Sequence, residues 1–314
     1  MQKLIAIVGP TASGKTALAI EIARRLVGGF EAVNADSRQV YRFMDIGTAK
    51  PTTEERDTLP HYLVDIVYPD EAFSLGRWLQ LAKEALETIW GHGHVPVVVG
   101  GTGQYVWALL EGWRVPEVPP REEWRREMES RPPADLLAEL TRIDPSSREY
   151  IQPNNVRRVI RALEVYHATG QPFSYWRTKD APGFDCLTIG LRLSREALSE
   201  RIDRRVDAMM EAGFLDEVRG LVKRGYGPHL PSMSGIGYRE LCAHLGGDVT
   251  WVEAVKRTKT GTHRLARHQN TWFKASDTRL RWIDAGDHAS EVGCQTVGGW
   301  LAETPQRKRE MRGG

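Results

Sequence analysis

Short apolar runs alternate with helical patterns through the first third of the chain. Residues 4–8 and 95–99 are continuous apolar runs and 31–33 form a shorter one, which predicts buried parallel strands. Residues 17–23 and 75–90 carry apolar side chains at three- and four-residue spacing, as amphipathic helices do. The alternation predicts an α/β fold, a parallel sheet flanked by helices.

The pattern changes after residue 115. Before this point, residues 61–67 predict a third strand. Residues 116–120 then form a proline-rich linker, followed by helical sequence at 121–131. Asn155 can cap a further helix that runs to Ala168. The expected organisation is a core of 1–115 and 185–300, a mostly helical insertion of 116–184, and a polar tail of 301–314.

A phosphate-binding loop follows the first predicted strand. The pattern G-x-x-x-x-G-K-[ST] lies between a strand and a helix, as a P-loop requires. Its residues are Gly9, Pro10, Thr11, Ala12, Ser13, Gly14, Lys15 and Thr16. Backbone N–H groups and the helix N-terminus can hold phosphate oxygens, Lys15 adds a full charge, and the Thr16 hydroxyl can hold phosphate or the water shell of Mg²⁺. The loop predicts phosphate binding, but not which bond breaks.

Two other loops are predicted at the same edge of the sheet. Asp36 follows the second strand, where functional side chains of parallel sheets gather, although an aspartate there can also form a turn or cap a helix. The run Gly100-Gly101-Thr102-Gly103 follows the strand at 95–99. Its glycines allow a close approach to the backbone or simply make a tight turn, and Thr102 can donate a hydroxyl.

A helix predicted at 195–212 contains two arginines without an acidic neighbour on the helix. Arg201 and Arg205 are four residues apart, whereas Arg204 has Glu200 four residues earlier. Like charges at this spacing destabilise an isolated helix by a few tenths of a kcal/mol. We therefore expect an anion from elsewhere, a bound phosphate or a tertiary carboxylate, to neutralise the pair.

A second helix carries a basic stripe. Residues 256–274 contain six Lys or Arg, two His and no acid, and we expect Val255, Leu265 and Trp272 to be buried on the other side. The stripe consists of Lys256, Lys259, His263, Arg267, Asn270 and Lys274. Because a solvated face usually mixes both signs, the stripe is typical of nucleic-acid binding.

The net charge, the cysteine spacing and the length of the apolar runs limit the classes of function that the protein can have. The 314 residues have a net charge of only +2, so any affinity for nucleic acid must come from local clusters. The three cysteines, Cys186, Cys242 and Cys294, are far apart and predict neither a disulfide framework nor a zinc knuckle. No apolar run approaches the roughly 20 residues of a membrane span, and residues 1–8 predict a strand rather than a signal peptide. We expect a cytoplasmic protein that does not use a membrane.

Several motifs in order resemble one family, the bacterial tRNA dimethylallyltransferases (isopentenyl-tRNA transferases). They include the P-loop, the segments 34–41, 44–51 and 100–105, the arginines of 158–164 and 201–205, and the segment 235–239. The resemblance extends from the first strand to about Trp272. One departure is that His263 and His268 stand where the family commonly has arginine.

The resemblance implies a reaction and a role for many of these residues. A dimethylallyl group would pass from its diphosphate to the exocyclic amine of the adenine 3′ of the tRNA anticodon, with Mg²⁺ and no obligate protein partner. Asp36 would be the general base, Thr11 would lie near the allylic phosphate, and Arg205, with Arg201 and the P-loop, would hold the diphosphate. Thr16 would bind the metal. The residues expected to contact tRNA are Asp36, Ser37, Arg38, Gln39, Thr102, Arg125, Arg157, Arg158, Arg161, Ser234, Gly235, Gly237, Tyr238, Arg239, His263, Arg267 and His268.

Other functions remain open from the residues alone. A small-molecule kinase with this loop needs a carboxylate after a buried strand to hold nucleotide-bound Mg²⁺, but residues 97–99 end in Gly100. An adenylate isopentenyltransferase alkylates free nucleotide and would not need the basic stripe. A non-catalytic RNA-binding protein would leave the P-loop and Asp36 without a role.

Overall fold

One parallel sheet organises the protein. The structure, a computed structural model, describes residues 1–303. Its strands are β1 (Gln2–Val8), β2 (Phe30–Asn34), β3 (His61–Tyr62), β4 (Val95–Gly100), β5 (Phe184–Arg192) and β6 (Leu280–Asp284). They are ordered β3-β2-β4-β1-β5-β6, and all five neighbouring pairs are parallel. The predicted α/β class is confirmed.

Helices connect and cover the strands. Within the described residues they are α1 (Lys15–Arg25), α2 (Thr53–Thr58), α3 (Leu75–Gly91), α4 (Gly103–Leu110), α5 (Glu122–Glu129), α6 (Pro133–Ile143), α7 (Val156–Thr169), α8 (Arg195–Glu211), α9 (Phe214–Lys223), α10 (Tyr238–Leu245), α11 (Trp251–Trp272) and α12 (Ala289–Ala302). As predicted, the Asn155 side chain caps α7 by accepting from the Arg158 N–H, and Gly170 ends the helix with φ 70°.

The core of the sheet lies around β1. Residues 4–8 are completely buried, because β4 and β5 flank the strand and α1 packs its own buried side chains against it. The Lys3 ammonium donates to the Trp300 carbonyl at the C-terminal end of α12. This rigid centre fixes the position of the P-loop, which begins where β1 ends.

The strand predicted at 61–67 is mostly wrong. Only His61 and Tyr62 pair with β2, after which Leu63 and Asp65 adopt left-handed conformations with φ 64° and 58°. The Asn34 side chain donates to the Leu63 carbonyl, and Arg42 donates to the Asp65 carbonyl. Side chains of other segments thus satisfy backbone groups that a longer strand would pair.

The chain divides into two compact units. One comprises residues 1–71, 81–106 and 183 onward, and it contains the whole sheet. The other comprises 72–80 and 107–182, compared with 116–184 in the expected organisation. The second unit has its own core, in which α6 and α7 contribute Leu136, Leu140 and Leu163.

The end of the chain differs from the expected boundary. The predicted tail starts at residue 301, but Leu301 and Ala302 complete α12, and residues 304–314 lie outside the described residues. None of the helices found in residues 1–303 combines the length and the apolar character needed to cross a bilayer.

Candidate active site

The P-loop lines a cavity of about 350 Å³ in the unit that holds the sheet. Side chains from four separate parts of the sequence meet there: Thr11, Lys15, Thr16, Asp36, Arg205 and Gln269. This size is at the lower end of small-molecule sites. The structure therefore brings together the predicted P-loop, the predicted base and one of the two predicted arginines.

Two basic side chains share this cavity, and within residues 1–303 no carboxylate pairs with either of them. Burial and, to a smaller extent, the neighbouring Arg205 lower the pKa of Lys15 to about 7, and Asp36 opposes the shift. The Lys15 ammonium donates to the Pro10 carbonyl at 2.7 Å. Burial also lowers the pKa of Arg205, and within residues 1–303 its guanidinium makes no hydrogen bond or ion pair. Such a pair of cations favours a multiply charged anion between them.

Arg201 and Arg204 of helix α8 do not make the contacts predicted from the sequence. Arg201 donates to the backbone carbonyl of Ala285 at 2.9 Å, after β6, and does not line the cavity. The expected Glu200–Arg204 pair is absent among the described residues, and Arg204 is exposed. Only Arg205 of the three therefore has the position expected of a diphosphate ligand.

Asp36 forms the turn after β2 and also lines the cavity. Its Oδ1 accepts a hydrogen bond from the Arg38 N–H at 2.8 Å, which makes the turn after β2. Its own N–H donates to Asn34 Oδ1 at 3.1 Å. The second oxygen, Oδ2, has no hydrogen-bond partner among the described residues, and the side chain lines the cavity. One carboxylate oxygen is thus held by the backbone while the other can accept a proton.

Thr102 supports the Asp36 turn from the neighbouring strand. Its Oγ1 accepts from the Ser37 N–H at 3.1 Å, and its own N–H donates to the Ala35 carbonyl at 3.1 Å. These two contacts tie the loop after β4 to the loop after β2. Thr102 therefore positions the segment that carries Asp36.

The glycines beside Thr102 allow helix α11 to approach closely. A Cβ at Gly101 would lie 2.3 Å from the Gln269 side-chain amide, and one at Gly103 would lie 2.3 Å from the Trp272 side chain. The first contact would displace the Gln269 amide, and the second, at the base of the Trp272 side chain, would push the helix away. Of the two explanations for this glycine run, close approach is the one that the structure shows.

Gln269 is a site residue that the sequence interpretation missed. It is buried, and its Oε1 accepts from the Thr11 N–H of the P-loop at 2.7 Å. Helical spacing in the sequence could have indicated that Gln269 is buried, since it shares the buried side of α11 with Ala254, Thr258 and Ala266. By contrast Leu265, which we expected to be buried, is 38% exposed and lines the cavity.

The basic stripe is partly neutralised by the neighbouring helix α8. Lys259 pairs with Asp207 at 2.8 Å, and His263 Nε2 lies 2.9 Å from Asp203 Oδ1. The RNA contact of His263 stays a prediction, for a ring that already has an acidic partner. The basic residues of α11 that stay exposed and unpaired within the described chain are Lys256, Arg264, Arg267 and His268.

The segment 234–239 is mainly structural. Tyr238 is buried and donates to Glu217 Oε1 at 2.6 Å, and burial beside this carboxylate raises the pKa of Tyr238 well above its ordinary value. Gly235 and Gly237 are also buried, which leaves Ser234 and Arg239 exposed. Arg239 pairs with Glu240, with 3.0 Å between Nε and Oε1. The predicted RNA contact of the Tyr238 side chain is therefore wrong.

Glu217, the hydrogen-bond partner of Tyr238, also holds a loop beside the cavity. Its carboxylate accepts hydrogen bonds from the backbone N–H groups of Asp45 and Ile46 at 2.8 and 2.7 Å. It thereby holds the loop at 44–50, whose Ala49 and Lys50 line the cavity. Tyr238 orients this carboxylate.

The side chains of Arg38 and Gln39 hold neighbouring loops in place through hydrogen bonds. Arg38 donates to the carbonyls of Pro231 and Ser232 at 3.0 and 3.2 Å. Gln39 donates to the carbonyls of Thr48 and Ala49 at 3.1 and 3.0 Å and also lines the cavity. Both side chains thus fix loops around the site.

In the second unit, two of the four predicted arginines hold a buried acid. Arg125 and Arg161 lie 2.7 and 2.6 Å from Oε2 of Glu164, which is completely buried. Burial raises the pKa of Glu164, but the hydrogen bonds from Arg125, Arg121 and Arg161 outweigh it, and the net shift is downward. Arg157 and Arg158 are exposed, and their side chains have no partner within residues 1–303. Only these two have the free charge expected of phosphate contacts.

Comparison with known proteins identifies similar chains. The family described as IPP transferase matches residues 39–276, more than half of the chain, and the one described as isopentenyl transferase matches residues 2–68. A curated tRNA dimethylallyltransferase of Roseiflexus sp. (strain RS-1) is 53% identical over 278 residues, which are 87% of this chain and 90% of that protein. One of Dehalococcoides mccartyi is 45% identical over 304 residues, with 96% and 93% covered.

Two solved structures are also similar to this chain. The full-length tRNA isopentenylpyrophosphate transferase of Bacillus halodurans is 40% identical, with a TM-score of 0.70 and 96% of each chain covered. A eukaryotic dimethylallyltransferase acting on tRNA is 28% identical, with a TM-score of 0.84 over 98% of this chain and 82% of that one.

Proposed function

This chain belongs to the IPP transferase family, and from that premise we propose that it transfers a dimethylallyl group from dimethylallyl diphosphate to tRNA. The acceptor is the exocyclic amine of the adenine 3′ of the anticodon. The observation that carries the proposal is one cavity in which two basic side chains without an acidic partner in the described chain, Lys15 and Arg205, lie with a free carboxylate oxygen of Asp36.

The cations and the P-loop bind the diphosphate. Its charge fits the space between Lys15 and Arg205, and the N-terminus of α1 adds the partial charge of the helix dipole. Thr11 is held in place by Gln269 at the edge of this anion site. These groups stabilise the negative charge that develops on the leaving diphosphate as the carbon–oxygen bond lengthens.

Asp36 takes the proton that the reaction releases. The adenine amine attacks the allylic carbon, a carbon–nitrogen bond forms, and the carbon–oxygen electron pair leaves with diphosphate. One proton then passes from the amine nitrogen to the free Oδ2 of Asp36. Arg38 N–H holds the other oxygen, so the carboxylate does not need to reorient during the transfer.

The site suits Mg²⁺ as well as diphosphate. The Thr16 hydroxyl lines the cavity, makes no hydrogen bond within residues 1–303, and is the hard oxygen ligand that Mg²⁺ prefers. When bound through Thr16, the ion supplies positive charge at the diphosphate.

The RNA contacts that we propose use exposed basic side chains. In α11 these are Arg264, Arg267 and His268, and in α7 they are Arg157 and Arg158. The anticodon loop is the target because an adenine in a paired and stacked helix could not reach the Asp36 carboxylate, whereas a loop base can be flipped into a pocket. We place the reaction in the cytoplasm, together with its tRNA substrate.

A small-molecule kinase is less well supported. Asp65, which comes after β3, is engaged by Lys50 and by Arg56, whose guanidinium lies 3.1 Å from Oδ2. Strand β4 ends in Gly100, which has no side chain. A kinase would therefore leave nucleotide-bound Mg²⁺ to Asp36, whose free oxygen we assign to the acceptor amine.

One assay separates the candidate functions. The protein is mixed with radiolabelled dimethylallyl diphosphate, Mg²⁺, and either unmodified tRNA or free AMP. We expect label in tRNA, at the adenine 3′ of the anticodon, and none in AMP. Label in AMP alone would indicate an adenylate isopentenyltransferase, and RNA binding without any transfer would contradict the proposed activity.

A further inference from the structure

Three side chains away from the cavity converge on one point. Glu31 is the second residue of β2, and His92 and His94 lie in the turn between α3 and β4. Glu31 Oε1 is 2.8 Å from His92 Nδ1 and 2.7 Å from His94 Nδ1. The transfer reaction uses none of these residues.

The cluster lies at the end of the sheet opposite the P-loop. Glu31 is level with Pro96 near the amino ends of β2 and β4, whereas Asp36 and Gly100 follow or end the same two strands. Because the strands are parallel, the length of the sheet separates the two places. Whatever binds at Glu31 is therefore distinct from the diphosphate and from Mg²⁺ at Thr16.

The ligand atoms have the chemistry and nearly the spacing of a zinc site. Two imidazole nitrogens and a carboxylate oxygen are a known three-ligand set for zinc, with water in the fourth position, and here all three atoms lie within 4.8 Å of one another. Zinc bonds of about 2.0–2.2 Å in a tetrahedron place ligand atoms about 3.3 Å apart. Each nitrogen–oxygen distance must therefore increase by only about 0.5 Å. The histidine side chains are 50% and 41% exposed, so they are free to make that movement.

The surroundings hold the ligands in place before any ion arrives. A Cβ at Gly29 would lie 2.1 Å from the His94 ring, so only glycine leaves room for this orientation. The carboxylate is almost completely buried and the rings face solvent, so an ion can enter from the side of the histidines.

We propose that Glu31, His92 and His94 bind a divalent zinc-type ion at this end of the sheet. Each histidine coordinates through Nδ1 as neutral imidazole, with its proton on the exposed Nε2, and Glu31 coordinates as carboxylate. The ion joins the turn before β4 to the start of β2. The simpler alternative is a buried carboxylate held only by hydrogen bonds from both rings.

Zinc binding by the full-length protein tests the proposal. Zinc chloride alone is titrated calorimetrically into the wild type, into His92→Gln/His94→Gln, and into the control His229→Gln/His288→Gln, which alters two exposed histidines elsewhere. We expect one zinc per wild-type and control chain. In the first variant the affinity should fall at least about 10-fold, the least that is seen for the loss of an outer contact.

Two further measurements interpret that result. Zinc should raise the melting temperature of the wild type and the control by a few degrees and leave the His92/His94 variant unchanged. If the double variant is unfolded by circular dichroism, the single variant His92→Gln, at a half-exposed position, replaces it. Equal zinc binding by all three proteins would assign the ion to cysteines or other histidines. That result, or no binding to the wild type, would overturn the site.

Discussion

Gln269, in the last turn of the basic helix α11, accepts a hydrogen bond from the backbone N–H of Thr11 in the P-loop, with 2.7 Å between the two atoms. The amide of Gln269 also lies against Gly101, where a Cβ would meet the amide nitrogen at 2.3 Å. The helix whose exposed basic residues we propose to bind RNA and the loop that we propose to hold diphosphate are thus joined by a part-buried hydrogen bond. Thr11 is placed by a residue more than 250 positions away in the chain.

Replacing Gln269 with Met should weaken diphosphate binding. The change keeps the length of the side chain but removes the acceptor, and a buried N–H without a partner costs about 1–3 kcal/mol. We expect the KM for dimethylallyl diphosphate to rise about 10-fold. The control is Thr271→Ala, whose exposed hydroxyl bonds only to the His268 carbonyl. A Gln269→Met enzyme with unchanged KM and unchanged melting temperature would contradict a positioning role.

Asp36→Asn should slow the chemical step. Asparagine retains an oxygen for the Arg38 N–H, so the turn is kept, but it cannot accept the proton from the amine. General-base catalysis contributes about 10²–10⁴-fold, and we expect a loss of that size in single-turnover kinetics with nearly unchanged tRNA affinity. A single-turnover rate near that of the wild type would remove Asp36 from the mechanism.

Arg205→Ala and Arg204→Ala should differ sharply, although the residues are adjacent. Arg205 lines the cavity without a partner in the described chain, whereas Arg204 is exposed on the other side of α8. A hydrogen bond to a charged group contributes about 1.5–3 kcal/mol, so the KM for the diphosphate should rise roughly 10- to 100-fold for Arg205→Ala only. Equal KM values for the two variants would show that Arg205 does not bind the diphosphate.

Binding of inorganic diphosphate at pH 8 should take up a proton at Lys15. In the free protein burial lowers the pKa of Lys15 to about 7, so the amine is mostly neutral at pH 8. A bound anion favours the charged form and raises this pKa, so about one proton should enter with the ligand. Calorimetry in two buffers of different ionisation enthalpy measures this uptake. Because diphosphate itself titrates, the quantity of interest is the difference from Lys15→Met, and no difference would refute the coupling.

Two basic residues of α11 should differ in their effect on the salt dependence of tRNA binding. Arg267 is exposed and unpaired among the residues described, whereas Lys259 is engaged by Asp207 at 2.8 Å. Each lost phosphate contact reduces the slope of log affinity against log salt by about 0.7–0.9. Arg267→Ala should show that reduction, and Lys259→Ala should leave the slope unchanged. Equal slopes for Arg267→Ala and the wild type would exclude a phosphate contact.

The sequence by itself determined the features that depend on local chemistry. A buried strand followed by the pattern ending in Gly14-Lys15-Thr16 predicts a phosphate loop, because glycine spacing, a helix start and a lysine are all encoded within eight residues. The cap of α7 at Asn155 and its end at Gly170 are equally local, and both were predicted correctly. Asp36 follows a predicted parallel strand, and functional side chains gather beyond the carboxyl ends of such strands. The sequence therefore also placed Asp36 at the edge of the sheet near the P-loop.

Only the tertiary structure decided which charged residues are free. His263 and Lys259 lie on a segment without acids, yet Asp203 and Asp207 of α8 engage them. Arg201 and Arg205 are alike in the sequence, but one is held by the Ala285 carbonyl and the other faces the cavity. A helical pattern defines the neighbours of a residue on its own helix. The partners supplied by another helix depend on packing between segments far apart in the chain, which no local spacing encodes.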